Sequence, residues 1–515
     1  MIHASPLPEV EIPDLPLTDY VLARAEELAD KPALIDGPSG RTLTYGGLLQ
    51  GVRALAGGLV ARGFEPGQTL ALLSPNIPEY AIVFHGVAYA GGIVTTINPT
   101  YVEREIHHQL VDADARLLVT VAPFLDVARA AAEGTAVEEI FVIGEAEGAR
   151  PLADLMGAPL TEQVPVDADD TVVLPYSSGT TGISKGVMLT HRNLIANVAQ
   201  TLGAAEMRDD ETLVAVLPFF HIYGMQVLMN CGLRAGATIV TLPRFDLEQF
   251  LSVHQEYGVT RSFVAPPIVV AMAKHPLVDK YDMSTLEQVF SGAAPLSAEL
   301  ALEAGQRLGC EVVQGYGMTE LSPVSHLTPV GQFKPGSVGV TAPNTEMRVV
   351  DPLTGDDLDI DADGEIWVRG PQVMKGYLNN EEATRNTVDA DGWLHTGDVA
   401  VVDEHGRYTV VDRVKELIKY KGYQVAPAEL EAVLINHPEI ADAAVIGVPE
   451  KESGEELPKA FCVRAPGSEI TEEAVMAYMA EKVAPHKKVR FVEFIDAVPK
   501  SAAGKILRKD LKVRG

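Results

Sequence analysis

An α/β architecture is predicted, with a large N-terminal body of stacked layers, a small β-rich subdomain and a mobile C-terminal α+β lid. Three observations carry this. Short apolar runs alternate with helically spaced apolar residues as far as about residue 310, the pattern of largely parallel sheets covered by helices. From Ser337 the texture changes to short strands and turns. At Asp412-Arg413-Val414-Lys415 a strand closes on charged residues, and beyond it lies enough chain for a separate compact unit of about 100 residues. The expected division is a body over 1–412, whose residues 337–412 form the β-rich part, a hinge at 413–415 and a lid over 416–515.

Taken in order, Leu17 to Asp30 shows helical apolar spacing and Ala33-Leu34-Ile35 begins a strand. A helix follows over Gly46 to Arg62, then a buried strand at Thr69-Leu70-Ala71-Leu72-Leu73, a helix over 77–90 and a strand over 93–97. The β-rich part shows strands at Arg348-Val349-Val350, Gly364 to Arg369 and Gly406 to Val411. The lid reads as helix 427–436, strands 443–448 and 459–464, helix 471–482 and strand 489–495.

Composition narrows the function classes. Of 515 residues 47% are hydrophobic, enough for a sizeable core, and the formal net charge of -30 disfavours nucleic acid or an anionic membrane as partner. The sign reverses locally: Lys482 to Gly515 holds ten Lys/Arg against three Asp/Glu, where anionic ligands would be met. Cys231, Cys310 and Cys462 are spaced for neither a disulfide framework nor a metal site, and a reducing cytoplasm is expected. The uncharged run Tyr80 to Val102 contains His85, paired glycines and Asn98-Pro99, so a buried helix and strand are expected there and no membrane span. The acidic, proline-rich start, Met1 to Leu17, has no apolar signal core.

The most informative stretch is Tyr176-Ser-Ser-Gly-Thr-Thr-Gly-Ile-Ser-Lys-Gly-Val187. An apolar run, Thr171 to Pro175, precedes it, and Met188 to Leu194 opens a helix, so strand, loop and helix are expected. Ser177, Ser178, Thr180 and Thr181 offer hydroxyls, Gly179 and Gly182 let backbone N–H groups crowd an anion, and Lys185 adds a point charge. This suits a polyphosphate. It is not a nucleotide-hydrolase P-loop, which needs Gly-x-x-x-x-Gly-Lys-[Ser/Thr], because Ser184 stands where the second glycine belongs and Gly186 follows the lysine.

Ser-Ser-Gly-Thr-Thr-Gly-x-x-Lys-Gly-Val is similar to the phosphate loop of the adenylate-forming superfamily, and the chain resembles its acyl- and aryl-CoA ligases over nearly its whole length. The nearest subgroup looks like the 4-coumarate:CoA ligases and their bacterial relatives, on Pro218 to Gly224, Ser291 to Pro295, Gln314 to Glu320 and Lys419 to Pro427. The resemblance implies the two-domain fold and a reaction in two halves. A carboxylate attacks the α-phosphate of Mg-ATP to give an acyl-adenylate and pyrophosphate, and the CoA thiol then expels AMP.

The resemblance also assigns roles. Ser177, Ser178, Gly179, Thr180, Thr181, Gly182 and Lys185 would hold the departing phosphates. Ala293, Gln314, Gly315 and Tyr316, on glycine-rich turns expected after the strands Gln288-Val289-Phe290 and Glu311-Val312-Val313, would form the adenine site, where small residues let a flat ring lie on the backbone and a tyrosine offers a stacking face. Thr319 would lie near the α-phosphate and Glu320 would hold magnesium, a hard cation suited to carboxylate and phosphate oxygens. Asp398, expected at the end of a strand and paired with Arg413, resembles the ribose clamp. His221, at the end of an apolar strand where a histidine is commonly just a core or capping residue, matches the gate between acid and ATP.

The acid pocket would be lined by Tyr223, Met225, Val227, Ala265, Ser291, Gly315, Met318, Pro323 and Val324. Tyr223 could bond a phenol, while the methionines and valines suit a planar or an aliphatic tail. A hydroxycinnamate is the first choice and a medium-chain fatty acid the alternative, with a stand-alone adenylation enzyme serving a carrier protein as a further one.

Two lid segments carry cations. Lys505, on a loop made pliable by Gly504, would bridge the carboxylate and the α-phosphate, stabilising charge that gathers as two anions meet. Lys419 and Gln424 would face the adenylate in the thioester step, with Lys421 and Gly422 along the CoA path, Arg244 on CoA phosphates and Lys415 at the hinge. If both segments serve one pocket in turn, the lid must rotate between steps. Two departures are notable: Ile183-Ser184 replaces the usual Leu-Pro, and Trp367 stands where the plant enzymes carry cysteine. The expected partners are the small carboxylic acid, ATP and CoA, with no nucleic acid and no membrane span, in a monomer or homodimer.

Overall fold

The computed structural model describes residues 2–177, 184–420, 423–449, 456–501 and 504–513, with 423 and 424 as backbone only. Two sheets with helices between them build the body. In the first, strands Thr171–Ser177, Ile93–Ile97, Thr69–Leu73, Ala115–Val121, Glu139–Ile143 and Arg150–Pro151 run parallel. Every residue of Thr69–Leu73 is buried, as expected for an apolar run covered on both faces.

The second sheet has a parallel half and an antiparallel half. Strands Glu311–Gly317, Gln288–Ser291, Arg261–Val264, Thr212–Ala215, Thr238–Thr241 and Pro32–Asp36 are parallel neighbours. From Glu311–Gly317 the sheet continues antiparallel through Val324–Leu327, Gly339–Thr341, Arg407–Arg413, Leu394–Val402, Gly364–Arg369 and Glu346–Val350. The β-rich strands are thus hydrogen-bonded to the body sheet, while packing a core of their own that includes Leu321, Met347, Val349, Ile366 and Leu394.

Four expectations about local structure change. After the phosphate loop the chain does not enter a helix at once: Lys185–Thr190 pairs antiparallel with Thr171–Ser177, and the helix spans His191–Ala205. Val187, Leu189 and Thr190 are buried along the strand, and Thr190 Oγ1 starts the helix by accepting from the Asn193 N–H at 3.1 Å while Asn193 Oδ1 accepts from the Thr190 N–H at 3.0 Å. Gln314 to Gly317 is not a turn after a strand but the end of the strand itself, held by Val324–Leu327. Asp398 lies within a strand rather than at its end. The first helix stops at Val21. Leu22 and Ala25 stay buried, but the Ala25 and Lys31 N–H groups bond three residues back, to the Leu22 and Leu28 carbonyls, and Arg24 is drawn off to the Ala235 carbonyl, Glu27 and Asp209.

The lid is a three-stranded sheet, Ile440–Pro449, Glu456–Arg464 and Phe491–Phe494, with a hairpin Ile418–Tyr420/Tyr423–Val425. Helices Pro427–Ile435, Glu472–Lys482 and Arg508–Lys512 complete it. Its core, including Val425, Leu430, Leu434, Val445, Ala460, Val475 and Met479, is separate from that of the body. Among the described residues no helix is long and apolar enough to cross a membrane.

Candidate active site

The carboxyl ends of the parallel strands in the second sheet meet the lid, where ligands of open α/β sheets bind. A cleft of about 470 Å³ there is lined by His221, Ile222, Tyr223, Phe290, Gly292, Ala293, Gly315, Tyr316, Gly317, Met318, Thr319, Pro323, Val324, His326 and Lys505. Among these described residues Lys505 supplies the only charge. The remaining wall is apolar or neutral, so the cleft has one anion-seeking end and one end fit for an uncharged tail.

Glycine is required on its floor. A Cβ on Gly292 would sit 2.8 Å from Tyr223 Cε1, and one on Gly315 would sit 2.6 Å from Phe290 Cε1. Tyr223 is fixed because its hydroxyl donates to the Phe290 carbonyl at 3.2 Å, which leaves its oxygen lone pairs to accept from a ligand hydroxyl. Ala293 holds φ +73°, a left-handed conformation that a side chain pays for in strain.

A larger space of about 1070 Å³ adjoins the cleft, sharing Ala293, Gly315, Tyr316, Gly317, Met318 and Lys505, and reaches Thr396, Asp398 and Arg413 of the body and Glu431 and Arg508 of the lid. The Tyr316 hydroxyl donates to Asp398 Oδ2, and Arg413 Nε lies 3.3 Å from Asp398 Oδ1. Burial and the Asp398 charge push the Tyr316 phenol well above its ordinary range, so it stays a donor and its ring keeps a fixed face. Gln314 does not line either space: its Oε1 accepts from the Leu296 N–H at 3.2 Å and so shapes the Ala293 turn from behind.

His221 lines the cleft and also a polar cavity of about 300 Å³ with Thr96, Asn98, Tyr101, Gln109, Tyr176 and Thr319, so it stands between the two. Its Nδ1 accepts from the Tyr223 N–H at 3.3 Å, which leaves the proton on Nε2. Burial first, then the Lys505 charge, lowers its pKa to about 3, so the ring is neutral.

Next to Thr319, Glu320 is 6% exposed, and its Oε1 accepts from Ser177 Oγ at 3.0 Å and from the Tyr377 hydroxyl at 2.8 Å. Lys185 Nζ lies 4.1 Å from the centre of the Tyr377 ring. Ser178, Gly179, Thr180, Thr181 and Gly182 lie outside the described residues.

Residues 21–378 match the AMP-binding enzyme family, and residues 429–505 match the AMP-binding enzyme C-terminal domain. The chain belongs to the AMP-binding enzymes. Within the family it is 43% identical over 527 residues to 4-coumarate–CoA ligase 1 of Petroselinum crispum, covering 100% of this chain and 97% of that one. It is 43% identical over 530 residues to a 4-coumarate–CoA ligase of Narcissus pseudonarcissus, covering 100% and 96%. The solved structure of the anthranilate CoA ligase AuaEII in complex with anthranoyl-AMP is similar at a TM-score of 0.91 and 27% identity over 97% of both chains. ATP-bound MatB from Rhodopseudomonas palustris is similar at 0.88 and 30%, covering 96% and 98%.

In this AMP-binding enzyme the two cationic lid segments are not equivalent in position. Lys505 is in the cleft, with Gly504 at φ +80° against the body, where a Cβ would lie 3.2 Å from Ala265. Burial first, and then Arg413, lowers the Lys505 pKa, against which Asp398 and Glu320 act. Lys419 is exposed, its N–H donating to Glu456 Oε2 at 3.0 Å, and it lines none of the three spaces. Gln424 is its register partner, described by backbone alone, and Lys421 and Gly422 lie outside the described residues. Lys415 is exposed in the turn after Arg413.

Several expected residues are apart from the cleft. Met225, Val227, Ala265 and Ser291 are buried behind its wall, and Arg244 is exposed on the segment before the helix Leu247–Tyr257. Sequence reasoning missed Tyr377, Ile222, Phe290, Gly292, Gly317 and His326. For Phe290 and Gly292 the signal was at hand, since they flank Ser291. For Tyr377 there was none, because it reaches Glu320 only through pairing of Gly376–Tyr377 with Lys185–Thr190.

Proposed function

We propose that this AMP-binding enzyme is an acid–thiol ligase that activates a hydroxycinnamate-type aryl acid with ATP as an acyl-adenylate and transfers the acyl group to CoA. The observation that carries this is the cleft itself. One lysine marks the carboxylate end, and Tyr223, Phe290, Met318, Pro323 and Val324 form a flat uncharged wall beyond it. A second carboxylate on the acid would find no cation among the described residues there. A phenol would find the Tyr223 oxygen.

In the first half-reaction a carboxylate oxygen attacks the α-phosphorus and pyrophosphate leaves towards Ser177 and Lys185. Lys505 sits between the two anions and lowers the electrostatic barrier to their approach. Asp398 takes the ribose hydroxyls, with Tyr316 against the adenine and Thr319 beside the α-phosphate. Glu320, one buried carboxylate joined by the Ser177 hydroxyl, fits magnesium, which prefers one or two carboxylates together with substrate phosphates. Bound there, the ion would neutralise phosphate oxygens.

In the second half-reaction the CoA sulfur attacks the acyl carbon, the bond to the adenylate oxygen breaks, and AMP departs. Neutral His221 borders the path from the polar cavity to the cleft. Lys505 lines the cleft here while Lys419 is exposed, which supports reading this arrangement as the one that serves the first step. The second step requires the lid to turn about 413–415 and bring Lys419 and Gln424 inward, with Lys421, Gly422 and Arg244 along CoA.

The test is AMP release, with and without CoA, across hydroxycinnamates, benzoates, medium- and long-chain fatty acids and a dicarboxylic acid. CoA-dependent AMP with 4-coumarate is expected. Turnover confined to fatty acids, or CoA-independent AMP release as the sole outcome, would overturn the reading.

A further inference from the structure

The lid helix Pro427–Ile435 lacks a cap of its own. Its N-cap residue is Ala426, which has no side-chain acceptor, and proline occupies the first turn. Helix ends leave N–H groups that need a partner. The partner comes from across the hinge: Ala428 N–H donates at 2.8 Å to Oδ2 of Asp412, in the body strand Arg407–Arg413, while Asp412 Oδ1 accepts from the Arg413 N–H at 2.7 Å. Asp412 is 6% exposed, so both bonds are shielded from water.

From this cap a chain of contacts runs to Lys505. Glu431, on the same lid helix, takes both Arg508 Nη2 contacts at 2.7 and 2.8 Å and accepts from the Val445 N–H at 2.8 Å. Arg508 Nε donates to the Val445 carbonyl at 3.2 Å. Asp412, Glu431 and Arg508 face the same space as Lys505. On either side of Lys505 described residues bond to one another, with Ser501 N–H on the Lys505 carbonyl and Leu507 N–H on the Pro499 carbonyl, both at 2.8 Å. Lys500 Nζ lies 2.6 Å from Asp442 Oδ2.

We infer that Asp412 is a positioning residue for adenylate formation: by capping the lid helix from the body side it sets the Lys505 loop in the cleft. The inference rests on the two-posture reading above. If the lid turns about 413–415, Asp412 stays with the body while Ala428, Glu431 and Arg508 leave with the lid. The cap then opens, so it favours one posture only and has no part in thioester formation.

Two variants and two half-reactions test it. Pyrophosphate release from ATP and a hydroxycinnamate reads the first half, and thioester formation from supplied acyl-AMP and CoA reads the second, with thermal unfolding measured alongside. Asp412→Ala is expected to slow the first half about tenfold, the effect of losing a helix cap, and to leave the second within about twofold. Asp412→Asn keeps an acceptor for Ala428 but loses the charge that favours a helix N-terminus, so a slowing of about threefold in the first half alone is expected. Asp412→Asn has nearly the native shape and decides the matter if the alanine variant does not fold. Equal slowing of both halves, or no slowing, overturns the assignment alone. Absent pyrophosphate release by the wild-type protein with every aryl acid would remove the function proposed above and this inference with it.

Discussion

Replacing Lys505 by alanine separates the two lid arms. Lys505 is the one charged group in the lining of the acid cleft among the described residues, and it has Arg413, Asp398 and Glu320 within its field. Removing a positioned donor from a site where charge develops costs about 3 kcal/mol, so adenylate formation should fall about a hundredfold to a thousandfold. Thioester formation from supplied acyl-AMP should change little, because the proposed mechanism gives that step to Lys419 and not to Lys505. Lys419→Ala should do the reverse, since Lys419 is exposed and away from the cleft when Lys505 is in it.

The sign of the pH dependence follows from the same surroundings. Burial and Arg413 lower the Lys505 pKa, so its proton is lost at lower pH than from a free lysine. Adenylate formation should therefore decline on the alkaline side below the pH at which an ordinary lysine titrates. Lys505→Arg, whose charge persists, should be slower but lose that decline. Pre-steady-state release of pyrophosphate and of CoA thioester gives both rates. Parallel loss of both halves in both variants would refute the reasoning.

Two further outcomes follow from the site. Tyr377→Phe deletes a hydrogen bond to the buried Glu320 carboxylate, worth about 1.5–3 kcal/mol for a charged partner, so half-saturation by Mg-ATP should rise about tenfold or more; unchanged Mg-ATP dependence would count against Glu320 as the metal-side carboxylate. Gly315→Ala places a methyl 2.6 Å from the Phe290 ring and must push that ring into the cleft. Its kcat/KM should fall about tenfold for a hydroxycinnamate and less for a smaller acid, and an equal fall for both would show that the floor does not set acid size.

The alternation of apolar runs and helices was legible because buried parallel strands such as Thr69–Leu73 are apolar at every position after the threonine. The second strand of the phosphate hairpin was not, since Gly186 and Thr190 dilute its pattern and His191-Arg192-Asn193 reads as a helix start. The residues of the nucleotide side are legible one by one, in short segments of distinctive composition. Their arrangement is not: Tyr316 meets Asp398, and Glu320 meets Tyr377, through sheet pairings that no local pattern encodes. The same holds for Asp412, which reads as a charged strand end and is in fact the cap of a helix in the next domain.

Whether an oxygen of the acid is carried onto AMP decides between activation as an adenylate and any other route. With 4-coumarate bearing heavy oxygen in its carboxylate, ATP and CoA, the AMP released should carry one labelled oxygen and the pyrophosphate none. Label in pyrophosphate or inorganic phosphate, or coumaroyl-CoA formed alongside unlabelled AMP, would contradict attack of the carboxylate on the α-phosphorus.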